Sequence, residues 1–239
     1  MDFSDEMRVA VFGASGGIGS ALVEQLKADP RVSQLYPISR TKTCANAIII
    51  NYDDESTISG AAELIREDGS LDLVIVATGL LHNNNGLYPE KTFRSIDSGS
   101  LEQLYRVNVI GPALVAKYFV PLLSPGRKNV FAILGARVGS ITDNNMGGWY
   151  GYRMAKAALV MLTRTLAIES ARRNSHTVCV ALHPGTVNTA LSKPFQRSVP
   201  EGGLVSSLNA AANLLRVING VAPDQSGYHL AWDGTRIPY

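Results

Sequence analysis

The chain has 239 residues, 46% hydrophobic and 18% charged, a balance that builds a globular core and excludes a disordered chain. A formal charge of +2, with basic residues scattered apart from the short pairs Arg127-Lys128 and Arg172-Arg173, leaves no footprint for nucleic acid or a membrane surface. Two cysteines, Cys44 and Cys179, make no disulfide framework and are expected in the core; no metal site is expected. No apolar run reaches the ~18 residues of a membrane span, and the acidic start Met1 to Glu6 lacks the pattern of a signal peptide, so a cytoplasmic location is expected.

In chain order, Arg8 to Phe12 is a short β-branched run that predicts a buried strand. It feeds Gly13-Ala14-Ser15-Gly16-Gly17-Ile18-Gly19, after which Ser20 to Ala28 has helical spacing. A strand, a glycine-rich turn and a helix suit a dinucleotide, because missing Cβ atoms admit the pyrophosphate and the helix start offers free N–H groups. Gly13, Ser15, Gly16, Gly17, Ile18 and Gly19 are therefore candidate cofactor contacts. Gln34 to Ile38 predicts a second strand ending at Ser39-Arg40. An arginine there, with no carboxylate, suits a ribose 2′-phosphate and favours NADP(H) over NAD(H).

A third strand, Ala47 to Ile50, follows too soon for a full crossover helix, so a loop is expected before it, and Asn51-Tyr52-Asp53 at its end would flank the adenine. Ile58 to Glu67 reads as a helix and Leu73 to Ala77 as a fourth strand, ending in Thr78-Gly79, where a ligand can approach the backbone. A long helix from Leu101 to about Leu123 carries Asn108 four residues before Pro112, and a kink there would aim Asn108 inward. Strands follow at Asn129 to Leu134 and Thr177 to Leu182, the latter ending in His183-Pro184-Gly185-Thr186-Val187-Asn188-Thr189. Residues 190–206 read as a substrate lid, Ser207 to Asn219 as a helix and Gly227 to Ala231 as a last strand; with no repeat or linker, one domain over 1–239 is expected. The helix running to about Arg172 bears Tyr152 and Lys156, four residues apart and so on one face. A cation beside the phenol in a dehydrated cleft would favour phenolate and lower its pKa.

The Gly13–Gly19 turn, the Thr78-Gly79 strand end, Asn108, Tyr152-x-x-x-Lys156 and the Pro184-Gly185 segment together resemble the short-chain dehydrogenase/reductase family. The stretches Arg137 to Asn144 and Gly147 to Tyr150 resemble its C-factor-like subgroup, which includes sniffer-type carbonyl reductases. The resemblance covers nearly the whole chain. It implies an α/β, doubly wound Rossmann fold with a seven-stranded parallel sheet flanked by helices.

It also implies hydride transfer between a nicotinamide and a small carbonyl or alcohol substrate, and a homodimer or homotetramer. Tyr152 would exchange the proton, Lys156 would tune it and hold the nicotinamide ribose, and Asn108 would anchor a water. Ala77, Thr78, Gly79, Pro184, Gly185, Val187 and Thr189 would line the cofactor site, along with Ser39, Arg40, Asn51 and Tyr52. The family's S-S-x-x-G pattern falls on Gly135-Ala136-Arg137-Val138-Gly139, which puts Ala136 at the usual serine position and leaves Ser140 as the expected replacement. That departure supports an alternative, a nucleotide-binding signalling or regulatory protein of C-factor type with little turnover.

Overall fold

The computed structural model describes Phe3 and residues 5–239; Met1, Asp2 and Ser4 of the acidic start lie outside the described residues. Its sheet is built from β1 (Met7–Phe12), β2 (Val32–Ser39), β3 (Ile48–Ile49), β4 (Leu73–Val76), β5 (Asn129–Leu134), β6 (Thr177–His183) and, after the short pair β7 (Thr186–Val187) and β8 (Leu204–Val205), β9 (His229–Ala231). The sheet is seven-stranded, in the order β3-β2-β1-β4-β5-β6-β9. Every pairing in it is parallel.

Parallel strands bury both faces, so each β-rich run divides its side chains between two cores at the strand's period of two. Val9, Val11, Leu73, Ile75, Val130 and Ala132 join α1 (Gly17–Ala28) and α6 (Ser207–Gly220) on one side. Ala10, Phe12, Val74, Val76, Phe131 and Ile133 face α2 (Glu55–Asp68), α4 (Gly111–Phe119) and α5 (Tyr150–Arg173) on the other. The chain reverses direction across the sheet between β1 and β4, and in such sheets the crevice at the carboxyl ends of those strands receives ligands.

Three sequence expectations change. The third strand shrinks from Ala47–Ile50 to Ile48–Ile49, because it pairs with β2 only through Ile38 and Ser39. Cys44 is exposed in the preceding loop rather than in the core, while Cys179 is buried on β6. The break in the long helix is a π-turn over Arg106–Ile110, between α3 (Ser98–Tyr105) and α4, rather than a proline kink; Pro112 sits harmlessly in the first turn of α4. The segment read as a lid leaves the sheet beyond β7, forms a short 3₁₀ helix at Lys193–Ser198 and returns through β8, which pairs with β7 and closes its base.

Candidate active site

Three adjoining cavities of about 180, 330 and 570 Å³ form one cleft along the carboxyl edge of the sheet. The first begins where β1 ends. Gly13 turns with φ +79°, and a Cβ there would come within 2.9 Å of the Ala77 carbonyl, so only glycine lets this turn cross the end of β4. The turn is tied by the Gly13 N–H donating to Ile38 O at 2.8 Å and the Gly16 N–H donating to Gly13 O at 2.9 Å. Gly16 caps α1 with no side-chain bond, leaving the first N–H groups of that helix to a ligand at the cleft.

Gly13, Ser15 and Gly16 share the smallest cavity with Ser39, Arg40, Asn51 and Tyr52, and with Ala77, Thr78 and Gly79. The Tyr52 ring stands between this cavity and the helix behind it. Its hydroxyl lies 3.1 Å from Thr78 Oγ1, its ring packs on Gly111, and burial pushes the phenol up to about 12. Gly17 and Ile18 line the middle cavity. Gly19 lines none of the three: a Cβ there would strike the Gly13 carbonyl, so its place is behind the turn, as a packing glycine rather than a cofactor contact.

The middle cavity meets the largest one at Tyr152, with Pro184, Thr189 and Leu191 shared between their walls. Gly185 and Val187 line the largest only. Lys156, one turn along α5 from Tyr152, lines the middle cavity, donates from Nζ to Leu134 O at 2.8 Å, and lies 5.7 Å from the centre of the Tyr152 ring. Both side chains are buried. Burial lowers Lys156 to about 8 and raises the Tyr152 phenol well above its ordinary value. This corrects the expectation of a tyrosine poised as phenolate: desolvation dominates, and one of the three Lys156 donors goes to a strand-end carbonyl. The phenol is a proton donor as it stands.

Asn108, at the centre of the π-turn, is 1% exposed and lines none of the three cavities. Its Nδ2 donates to Leu104 O at 2.9 Å and to Leu80 O at 2.8 Å, and its Oδ1 accepts the Leu80 N–H at 3.2 Å. It thus braces the strand-end loop from below. An ideal Cβ on Gly79 would have Asn108 Oδ1 at 3.6 Å and Lys156 Nζ at 4.0 Å, so the glycine separates the two. Ser140 is not brought to the cleft. It is 2% exposed, its Oγ accepts the Asp143 N–H at 3.1 Å, and it lines none of the three cavities, whereas the methyl of Ala136 does line the largest. The residues between them form a short 3₁₀ turn, Arg137–Gly139, that carries Ser140 behind the wall.

Several contributors have no local signal in the sequence. Arg106 and Val107 reach the smallest cavity from the π-turn, and His183 lines the largest. Burial lowers the His183 imidazole to about 4, so it is neutral at pH 7. Glu90, sixty residues before the helix it serves, accepts the Gly151 N–H at the start of α5.

The family model described as short chain dehydrogenase matches residues 7–199. The chain belongs to that family. Like other short-chain dehydrogenases it is an oxidoreductase, and the glycine turn, Tyr152 and Lys156 described above lie within the matched residues. The C-signal of Myxococcus xanthus is 32% identical over 144 residues, 60% of this chain and 81% of that protein. The 1-hydroxy-2-glutathionyl-2-methyl-3-butene dehydrogenase of a Rhodococcus species is 31% identical over 185 residues, 77% of this chain and 76% of that protein. The NADPH-bound carbonyl reductase from chicken fatty liver superimposes with a TM-score of 0.82 at 25% identity, over 98% of this chain and 99% of that one. The carbonyl reductase Sniffer of D. melanogaster shares the fold, with a TM-score of 0.83 at 21% identity, over 98% and 100% of the two chains.

Proposed function

We propose that this short-chain dehydrogenase reduces a small-molecule carbonyl with NADPH, and oxidises the alcohol in reverse. The observation that carries the reading is the position of Tyr152, buried with Lys156 where the glycine-walled channel opens into the 570 Å³ cavity. The channel fits a dinucleotide: glycines clear its floor, uncapped N–H groups of α1 face it, and Arg40 and Ser39 lie where a ribose 2′-phosphate would sit. NADPH in the chicken carbonyl reductase supports the choice of NADP(H).

When bound, the nicotinamide supplies or takes the hydride. Tyr152 gives its Oη proton to the carbonyl oxygen as charge develops there, a task suited to a phenol held neutral. Lys156, kept cationic below about pH 8, draws the phenol's negative charge and holds a ribose hydroxyl. Asn108 keeps the loop at Leu80 open beside Gly79. With Ala136 in the wall and Ser140 behind it, Tyr152 is the substrate oxygen's hydroxyl donor. Trp149, Leu191 and Phe195 keep the substrate end dry.

A homodimer through α5 is part of the same reading: Met154, Met161 and Ile168, seven residues apart on that helix, are 45%, 66% and 47% exposed and form an apolar stripe. Two unpaired cysteines, and the lack among the described residues of a helix long and apolar enough to cross a membrane, support a cytoplasmic location.

Fluorescence titration with NADPH and NADH, followed by a panel of aldehydes and ketones on the wild type and Tyr152→Phe, tests the function. NADPH binding with turnover lost roughly 10²–10⁴-fold in Tyr152→Phe is expected. NADPH binding with no turnover of any carbonyl would favour the regulatory reading.

A further inference from the structure

The outer cavity of the cleft, of about 570 Å³, carries a charge asymmetry that proton and hydride transfer at its inner end do not use. Its walls are mostly apolar, no Asp or Glu lines it, and two arginines do, Arg137 and Arg197. Arg137 is already engaged, its Nη1 lying 2.7 Å from Asp143 Oδ2. Arg197 stands exposed on the lid's 3₁₀ helix and makes no ion pair among the described residues. In that helix, three residues make a turn, so Pro194 and Arg197 share a face, and both line the cavity. The helix is seated by Phe195, whose ring centre lies 5.0 Å from that of Trp149 and 5.7 Å from that of His82. The remaining titratable groups in the wall, His183 and Tyr152, are neutral and cancel nothing.

We propose that this cavity selects carbonyl substrates with an apolar body and an anionic group, a carboxylate, remote from the carbonyl, and that Arg197 receives the anion. The proposal rests on the reading that Tyr152 marks the carbonyl end. A guanidinium above an apolar wall is screened less than one on open surface. Its fork matches a carboxylate through two parallel hydrogen bonds, which Tyr152 and the apolar residues cannot supply.

The test compares 4-carboxybenzaldehyde with methyl 4-formylbenzoate, which share ring and aldehyde and differ in charge. With NADPH saturating, the acid is expected to be preferred in kcat/KM by roughly ten- to a hundredfold at low salt, mostly through KM. The gap should narrow as salt rises. In Arg197→Met the ratio of acid to ester falls towards one, and Arg197→Lys retains part of it. Equal kcat/KM values in the wild type, or a preference unchanged in Arg197→Met, would overturn the proposal. If neither aldehyde is reduced, the reductase reading fails by itself, and calorimetric titration with benzoate and benzamide decides the subsite. Benzoate bound more tightly, and dependent on Arg197, upholds it; equal or absent binding of the two overturns it.

Discussion

Glu90 holds Gly151 by its backbone: the Gly151 N–H donates to the two carboxylate oxygens at 3.3 and 3.2 Å, one residue before Tyr152. The Glu90 carbonyl also accepts the Trp149 N–H at 2.5 Å. Trp149 is left-handed, with φ 53°, and supplies no side-chain cap, so Glu90 takes the place of the missing N-cap of α5. A Cβ on Gly151 would meet Glu90 Oε1 at 2.9 Å and Leu104 Cδ1 at 2.7 Å, so a larger residue there has to displace those side-chain ends.

Removing that acceptor strands a buried donor. Glu90→Ala is expected to cost about 1–3 kcal/mol of stability. It should also lower kcat more than it changes the affinity for NADPH, since the displaced turn carries Tyr152. Glu90→Gln keeps one acceptor oxygen and should recover most of both. Chemical denaturation and steady-state kinetics on the two variants check this; an active, fully stable Glu90→Ala would show that Tyr152 is positioned from elsewhere.

Arg40 tests the cofactor preference. It lines the smallest cavity beside Ser39 at the end of β2, and the carboxylate in that wall, Asp53, lies beyond β3 and pairs with Arg106 at 3.4 Å. Arg40→Ala is expected to weaken NADPH binding by about 1.5–3 kcal/mol, the worth of a charge-assisted hydrogen bond, and to leave NADH affinity nearly unchanged. Equal losses for both nucleotides in a fluorescence titration would remove the 2′-phosphate from its role.

Lys156 makes the stability of the free protein depend on pH in a defined direction. Burial lowers it from 10.5 to about 8 in the folded chain. Between those values the unfolded chain binds the extra proton, so this group's contribution raises stability as pH climbs from 8 to 10.5, by at most about 3 kcal/mol. Tyr36, Tyr52 and Cys179 are raised by burial and act oppositely at high pH, so the difference from Lys156→Met, which lacks the titration, is the informative quantity. Thermal unfolding of both proteins across that window should show the wild type gaining on the variant. A difference flat with pH would mean that the lysine is not desolvated.

Gly111 supports the nucleotide pocket without touching it. A Cβ there would run into the Tyr52 ring, whose hydroxyl meets Thr78 Oγ1 at 3.1 Å. Gly111→Ala must push the ring towards the cavity, and overpacking of this kind costs about 1–3 kcal/mol. Weaker NADPH binding is expected together with lower stability, and Tyr52→Leu in the same background should restore part of the latter.

The parts of this molecule legible in the sequence are those whose cause is local. The runs at Val9–Phe12, Leu73–Val76 and Val130–Leu134 alternate between two cores, and strands need no more than that. The glycine turn and the Tyr152–Lys156 spacing are likewise written over a few consecutive residues. What escaped depends on contacts between distant segments. Glu90 under Gly151 and Tyr52 on Gly111 join residues about sixty positions apart, and nothing in either segment announces the other. Ser140 misled because distance along a loop says little about direction: the 3₁₀ turn at Arg137–Gly139 swings it behind the wall. The phenol of Tyr152 differed for another reason, since spacing shows a neighbouring cation but not how far water has been removed from both groups.

The pairing of Thr186 and Val187 with Leu204 and Val205 has a consequence for how this chain can change. It pins both ends of the intervening segment, whose residues from Thr189 to Pro200 supply much of the outer wall. A stretch clamped at its base behaves as an interchangeable cassette: because closure entropy grows only slowly with length, insertions and replacements between the clamps cost little stability. The glycine turn, Lys156 and the strand ends lie outside it, so selection can rewrite what the molecule accepts while the machinery beneath stays as it is.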